Sequence, residues 1–481
     1  MKILINPIWG VEVKAFEILC KKYDIDEIYA IEFENKCRDF KKSDMSSLVK
    51  EEFMYLDMFD AKYEKYIFYD ERMPLDQDLL DKMSIYEPEA LKMLERAGRI
   101  NDSAERRFIQ YHTHVRYWNC FLGRTKVDCF ITGSTPHAIY DYIIMRLCQI
   151  KGIPVIQNEP LPFQSCFKIR LYTKYEDLDQ NIVDKIAFYK KKFEDNPSEK
   201  LSRRMQAEYD LFMGTNKQVF KTSPSQKGLF KARIHYFSQL WNRNKKNAVG
   251  RAIKHFTSKN DTRRLLAEYS KMTVSPDWNK KYIYFPLHYQ PERSTSPIGG
   301  WYVHLYLAIE MLSYYLPKDA VIYVKEHPRM KETLPVHTRV MEHYERINSL
   351  PNVFLVPIET STIELADNAI AIASVTGHIG FEVLFKKKPY LMFGNSILKY
   401  APTSLNIRNN RDCEEALLRV FGNNVNVCDA DIKAYLMAVD DISIEEYHEK
   451  FNSNYSKKES VKDLVSLFSE MFDQILVQEA R

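Results

Sequence analysis

The sequence predicts an α/β protein of two doubly wound domains in series, closed by a helical tail, and three observations lead there. Short β-rich runs alternate with helical patterns twice over, the second series restarting at Tyr282. Such alternation specifies a parallel sheet covered by helices on both faces. The chain has 481 residues, more than one hydrophobic core usually serves. Between the two series lie a polar, charged stretch, Asp177–Asp210, and a basic stretch that follows it. The resulting division is a first Rossmann-like domain over 1–210, a basic helical linker over 211–278, a second Rossmann-like domain over 279–440 and a helical tail over 441–481.

In the first series the strand candidates are Lys2–Asn6, Glu27–Glu32, Lys65–Tyr69, Cys129–Thr132 and Pro154–Gln157. Val13, Phe16, Ile18 and Leu19 form an apolar face at helical spacing between the first two. Ala138–Ile150 is a second amphipathic helix, stopped by Lys151-Gly152. In the second series the strands are Tyr282–Leu287, Ala320–Val324, Val353–Val356, Ala369–Ala373 and Pro389–Phe393. Helical patterns at Tyr302–Tyr315, His337–Asn348, Thr362–Asp367 and Ile379–Lys386 separate them, and Ile444–Val477 is helical again. No internal repeat or low-complexity tract interrupts the pattern.

Composition narrows the class. A 45% hydrophobic and 28% charged chain is an ordinary globular protein. Met1–Asn6 reads as a strand rather than a leader, and no apolar run is long enough to span a bilayer, so a cytoplasmic location is expected. The 8 cysteines show no C-x-x-C pair and no framework spacing, which argues against structural zinc and disulfides. The net charge of +4 is unevenly spread: from Lys217 to Arg264, thirteen lysines and arginines face the single acid Asp261, with Phe230, Trp241 and Phe256 among them. A solvated linker and a patch for peripheral contact with anionic membrane both fit this run. Nucleic acid is not expected as a partner, because no recognition motif accompanies the charge.

Three runs carry chemistry, each just after a strand. Phe285-Pro286-Leu287-His288-Tyr289-Gln290-Pro291-Glu292-Arg293-Ser294-Thr295 begins as a buried strand and turns polar and proline-broken. It therefore leaves the sheet at the strand's carboxyl edge, crowding His288, Gln290, Glu292 and Ser294 at a cleft mouth. In Val324-Lys325-Glu326-His327-Pro328 the proline forces its predecessor toward extended geometry, presenting His327 at the strand's end. A histidine there can hydrogen-bond or protonate a departing phosphate; a structural histidine would fit too. Ala373-Ser374-Val375-Thr376-Gly377-His378-Ile379-Gly380-Phe381-Glu382 joins a strand to a helix. Its small residues let backbone approach a ligand, its hydroxyls suit a phosphate, and Glu382 can accept hydrogen bonds from a ribose. A helix start capped by Ser374 or Thr376 is the competing explanation.

Taken together the runs resemble the capsule polysaccharide biosynthesis family, which includes retaining β-Kdo transferases. The family pattern is approximately F-P-L-Q-x-Q-P-E-x-S, then V-K-E-H-P, then S-x-T-G-x-x-G-x-E-A-L, with K-P-x-x-x-F-G downstream. Phe285–Ser294, Val324–Pro328, Ser374–Leu384, Lys388-Pro389 and Phe393-Gly394 match it, with His288 for the usual Gln and Val383 for the usual Ala. The His-Pro and Ser/Thr runs are also similar to paired motifs of bacterial sialyltransferases, which use CMP-linked acidic sugars. The resemblance implies the GT-B architecture, with ligand in the cleft between the sheets. It implies a nucleotide-sugar donor, CMP-linked, held by His288, Gln290, Glu292, Ser294, Lys325, Pro328, Ser374, Thr376, Gly377 and Glu382. His327 would lie on the phosphate, and no metal or other cofactor is implied.

The catalytic carboxylate is expected from the first domain. Glu159, in Asn158-Glu159-Pro160 after the strand Pro154–Gln157, stands where relatives carry an acidic pair followed by glycine. It would serve as base on the acceptor hydroxyl or as nucleophile. Thr132-Gly133-Ser134-Thr135-Pro136-His137 ends a strand facing the same cleft, with Ser134 and His137 placed to meet a glycan or lipid-linked acceptor. The reading is a surface-polysaccharide glycosyltransferase using a CMP-activated ulosonic acid such as Kdo. A UDP-sugar transferase, a UDP-sugar epimerase and an inactive polysaccharide assembly factor are the alternatives.

Overall fold

The computed structural model describes residues 1–8, 10–32, 43–94, 103–213, 263–290, 292–332, 339–447 and 456–479. The basic segment from Lys217 to Asp261 lies outside the described residues, as does Pro291. Among the described residues no helix is long and apolar enough to cross a membrane.

The first domain runs β1 (Lys2–Asn6), α1 (Val11–Lys22), β2 (Glu27–Glu32), β3 (Val49–Met54), α2 (Tyr55–Phe59), α3 (Gln77–Ser84), α4 (Glu87–Leu94), α5 (Ala104–Thr125), β4 (Cys129–Thr132), α6 (Ile139–Lys151), β5 (Val155–Pro160) and β6 (Lys168–Tyr172). Helices α7 (Gln180–Asp195), α8 (Arg203–Met213) and α9 (263–272) lead out of it. The second domain runs β7 (Lys281–Pro286), α10 (Leu305–Tyr315), β8 (Ala320–Lys325), α11 (Met341–Asn348), β9 (Val353–Val356), α12 (Thr362–Asn368), β10 (Ala371–Ser374), α13 (Ile379–Phe385), β11 (Tyr390–Met392), β12 (Ser404–Asn406), α14 (Asn410–Phe421) and α15 (Asp429–Asp441). The chain ends with β13 (Ile444–Glu445) and α16 (Lys457–Glu479).

Strand order places the ligand crevices. The second sheet is ordered β12-β11-β10-β7-β8-β9 and is parallel throughout. The order reverses between β7 and β10, so the loops after those two strands diverge and leave a crevice beyond their carboxyl ends. The first sheet, β13-β6-β5-β4-β1-β2-β3, has its reversal between β1 and β4. It is parallel except at β6, which runs against both β5 and β13.

The two domains exchange helices across their junction. Helices α7 and α8 pack into the core of the second domain, where Phe212 stacks on Phe385 at 4.6 Å and Phe163 meets Phe381 edge-on at 5.6 Å. The tail helix α16 returns to the first domain, setting Phe468 against Phe16 at 4.9 Å and Phe472 against Tyr23 at 5.1 Å. Lys399 of the second domain donates to the carbonyls of Tyr175 and Asp177, and the Asp179 amide donates to the Tyr400 hydroxyl at 2.7 Å. Two doubly wound sheets joined this way are the GT-B arrangement.

Two expectations fail locally. Lys65–Tyr69 is a string of turns rather than a strand, and β3 is Val49–Met54 instead. Only Phe53 of β3 is fully buried, because the strand lies at the sheet edge and pairs with β2 alone, so Lys50, Glu51 and Glu52 keep contact with water. The aromatic residues near 65–69 are core all the same: Tyr66 packs on Phe53 at 5.1 Å and donates to Asp57 at 2.8 Å. Asn158-Glu159-Pro160 is expected beyond the strand Pro154–Gln157, but β5 continues through it, because β6 folds back and supplies backbone partners as far as Pro160.

Candidate functional site

In the second domain the two diverging loops are tied across the crevice they form. His288 stands two residues beyond β7 and Ser374 is the last residue of β10. The His288 Nε2 and Ser374 Oγ are 2.9 Å apart, and the Thr376 amide donates to the same nitrogen at 3.4 Å. An Nε2 that accepts from an amide carries no proton, so the Ser374 hydroxyl donates to it and the ring proton sits on Nδ1. Burial pushes the imidazole down to about 3, and the charges of Arg339, His327 and His378 push the same way. His288 is therefore a neutral tie between motifs at physiological pH, not a proton donor.

Ser374 and Thr376 do not cap the following helix. Thr376 donates its hydroxyl to the Ser294 carbonyl, binding the third run to the first, and α13 starts at His378 without a side-chain cap. The backbone there is packed tightly. A Cβ on Gly394 would lie 2.4 Å from Thr376 Cγ2 and 2.8 Å from the Val375 carbonyl, and one on Gly377 would lie 2.7 Å from Ser374 Oγ. Arg408 secures the Phe393-Gly394 turn by donating to both carbonyls, at 2.6 and 2.7 Å. Lys388, the downstream lysine of the pattern, donates to the carbonyls of Ala366, Asp367 and Ala369 at the carboxyl end of α12. That role is structural.

Beneath the crevice lies a buried ion pair. Arg339 Nε donates to Glu326 Oε2 at 3.0 Å, with both side chains almost wholly enclosed. The same guanidinium donates to the His288 carbonyl at 2.8 Å and to the Gln290 side chain, whose amide nitrogen donates to the Val303 carbonyl at 2.7 Å. Glu326 also accepts from Tyr344 at 2.6 Å and from the His327 amide at 2.6 Å. Arg339 thus links the first run to the second. Sequence reasoning missed it, since a lone arginine before α11 carries no signal, whereas Glu326 was in plain view between Lys325 and His327.

His327 is half-buried at the rim. Its Nδ1 accepts from the Arg329 amide at 3.2 Å, which leaves the ring proton on Nε2. Its ring lies 5.7 Å from that of Tyr289, and the Arg329 guanidinium covers the Tyr289 ring at 4.9 Å. Glu292 accepts from Ser294 at 3.4 Å and stands 3.9 Å from Arg329. Pro328 is exposed. Lys325 is directed to the β9 side of β8, donating to the Thr360 carbonyl at 2.7 Å and to the Thr362 hydroxyl, and burial pushes its ammonium down to about 8. The structure therefore brings His288, Gln290, Ser294, Ser374, Thr376 and Gly377 together and sets Lys325 apart. Glu382, on α13, has its carboxyl pushed up to about 8 by burial, opposed by Lys386. Near pH 7 it is mostly protonated, able to donate as well as accept.

Across the junction, Glu159 on β5 faces Arg170 on β6, with Oε2 2.6 Å from Nε and both side chains largely enclosed. In the loop after β4, Thr132 donates to the Ser134 carbonyl at 2.6 Å, His137 Nδ1 donates to the Thr135 carbonyl at 2.8 Å, and Thr135 and Tyr172 share a hydroxyl contact at 2.6 Å. A further carboxylate lies at this domain's own strand-order reversal. Glu12, in the first turn of α1, is buried and accepts from Asn158 at 3.0 Å. Glu446, next in the chain after β13, is pushed up to about 8 by burial and then by the charge of Glu12. The signal for Glu12 was its place two residues after Gly10, at the helix start that follows the first strand. Among the described residues no group of three or more His, Cys, Asp or Glu could hold a metal ion.

No family model matches the chain, and no curated protein matches it either. Solved structures with which it aligns include Thermosulfurimonas dismutans KpsC, a β-Kdo 2,7 transferase, at 10% identity and TM-score 0.33 over 97% of this chain and 99% of that one. UDP-GlcNAc 2-epimerase from Neisseria meningitidis, bound to UDP-GlcNAc, aligns at 12% identity and TM-score 0.25 over 98% and 100%. A glycosyltransferase from Rickettsia africae aligns at 12% identity and TM-score 0.26 over 99% and 98%. Likeness at this level carries no weight for function, which has to come from the strand order and the contacts across the crevice.

Proposed function

We propose that this chain is a metal-independent glycosyltransferase of surface-polysaccharide biosynthesis. It would transfer a CMP-linked ulosonic acid, such as Kdo, to a glycan or glycolipid acceptor. The observation that supports this reading is the His288–Ser374 contact, which joins the two motif loops where the second sheet reverses its order.

On this reading the nucleotide occupies the second domain, with Glu382 on the ribose and the Ser374–Gly377 backbone on the phosphate. The bond between the anomeric carbon and the phosphate oxygen breaks, and CMP leaves with the electron pair. His327, carrying its proton on Nε2, donates a hydrogen bond to the leaving phosphate. The acceptor hydroxyl oxygen bonds to the anomeric carbon and gives up its proton to a first-domain carboxylate. Glu159, oriented by Arg170, is the residue proposed for that step, with Ser134 and His137 beside the acceptor.

A panel of nucleotides tested for thermal stabilisation of the full chain examines the reading. A ligand at a hundred times its Kd stabilises the fold by about 2.7 kcal/mol. CMP should raise the melting temperature and UDP should not. A response to UDP alone would move the donor class to UDP-sugars, and silence toward every nucleotide would remove the reading.

A further inference from the structure

Arg293 lies in the loop that follows β7, between Glu292 and Ser294. It is half-buried, and among the described residues it forms no ion pair or hydrogen bond. The carboxylate next to it in the chain, Glu292, already accepts from Ser294 and faces Arg329. Ser294, on its other side, is held by the Thr376 hydroxyl through its carbonyl, so Arg293 is fixed beside the Ser374–Gly377 loop. Its charge acts on both walls of the junction. On the first-domain side, burial pushes the Tyr172 hydroxyl up while Arg293, with Arg170, opposes it. On the second-domain side, desolvation lowers His378 and Arg293 lowers it further, although the outer edge of that residue is open to solvent.

A guanidinium partly removed from water and left unpaired is costly unless a ligand supplies the anion. A donor sugar must sit between the nucleotide on the second domain and the acceptor on the first, and the charge of Arg293 is felt on both sides of that interval. The planar fork of arginine matches a carboxylate with two parallel hydrogen bonds. We propose that Arg293 binds the carboxylate of an acidic donor sugar and so selects sugar acids over neutral sugars. This rests on the nucleotide-sugar reading above and adds the residue that sets the sugar class.

The test is calorimetric titration of the full chain with CMP and with CMP-N-acetylneuraminate, a carboxylate-bearing CMP-sugar, using wild type, Arg293→Met and Arg293→Lys. Wild type should bind the CMP-sugar more tightly than CMP. Arg293→Met should lose about tenfold or more toward the CMP-sugar and keep its affinity for CMP, as expected for loss of one charge-assisted contact. Arg293→Lys, which keeps the charge without the fork, should fall between, and its melting temperature checks folding independently. Equal weakening toward CMP and the CMP-sugar would assign Arg293 to the phosphate and overturn the proposal. Unchanged affinity for both would overturn it as well, and in either case CMP binding by wild type would leave the glycosyltransferase reading standing. Failure of wild type to bind CMP would remove both together.

Discussion

Removing Arg339 should cost more than removing any other single side chain of the site. Arg339→Met keeps most of the apolar stem but deletes the only cation paired with Glu326 among the described residues, a carboxylate with no exposed surface. Breaking a buried ion pair from one side costs about 3–5 kcal/mol, because the remaining charge is stranded. The loss extends to the His288 carbonyl and the Gln290 side chain, both of which Arg339 holds. Urea unfolding followed by circular dichroism measures the stability, and CMP titration measures whether the first motif loop keeps its place. Both should fall. Glu326→Gln with Arg339→Met should recover part of the stability, since the stranded charge is then gone, and the difference between double and single variants gives the coupling. A single variant within about 1 kcal/mol of wild type that also binds CMP normally would refute the reasoning.

Two further outcomes follow from the same geometry. His327→Ala should lower turnover on the order of a hundredfold while shifting the melting temperature little, because the ring is half-buried at the rim; normal turnover would make His327 structural. Glu382 has a raised folded-state value, so its stabilising contribution is complete below its ordinary value of 4.5 and is lost as pH rises through about 8. Glu382→Gln should therefore gain stability relative to wild type across that window in pH-dependent thermal melts, and a gap that does not change with pH would contradict the assignment.

Much of the second domain was legible because its strands are buried on both faces and its motif loops fall directly after them. Phe285–Thr295 and Ser374–Glu382 could be placed at strand ends from hydrophobic runs and proline alone. What no local pattern carries is the partner choice of a side chain. Ser374 and Thr376 looked equally fit to cap a helix or to face a ligand, and only the strand order, which brings β10 beside β7, sets Ser374 against His288. Lys325 shares its motif with His327, yet Lys325 ends β8 and its ammonium reaches Thr360 and Thr362, whereas His327 lies in the loop beyond the strand. The misplaced strand near residue 65 has a related cause. Val49–Met54 is an edge strand with charge in its middle, while the aromatic turns around Tyr66 imitate a buried strand. Glu159 was expected just past a strand ending at Gln157, but the partner that lengthens β5 is β6, which folds back from later in the chain and pairs with it through Pro160.

The most direct measurement is calorimetric titration of CMP into the full chain and into its Ser374→Ala and Thr376→Val variants. The account predicts saturable binding to wild type that weakens by about tenfold or more in each variant, with melting temperatures that show both still folded. Undiminished CMP affinity in both variants, or no CMP binding by wild type, would contradict a nucleotide site between β7 and β10.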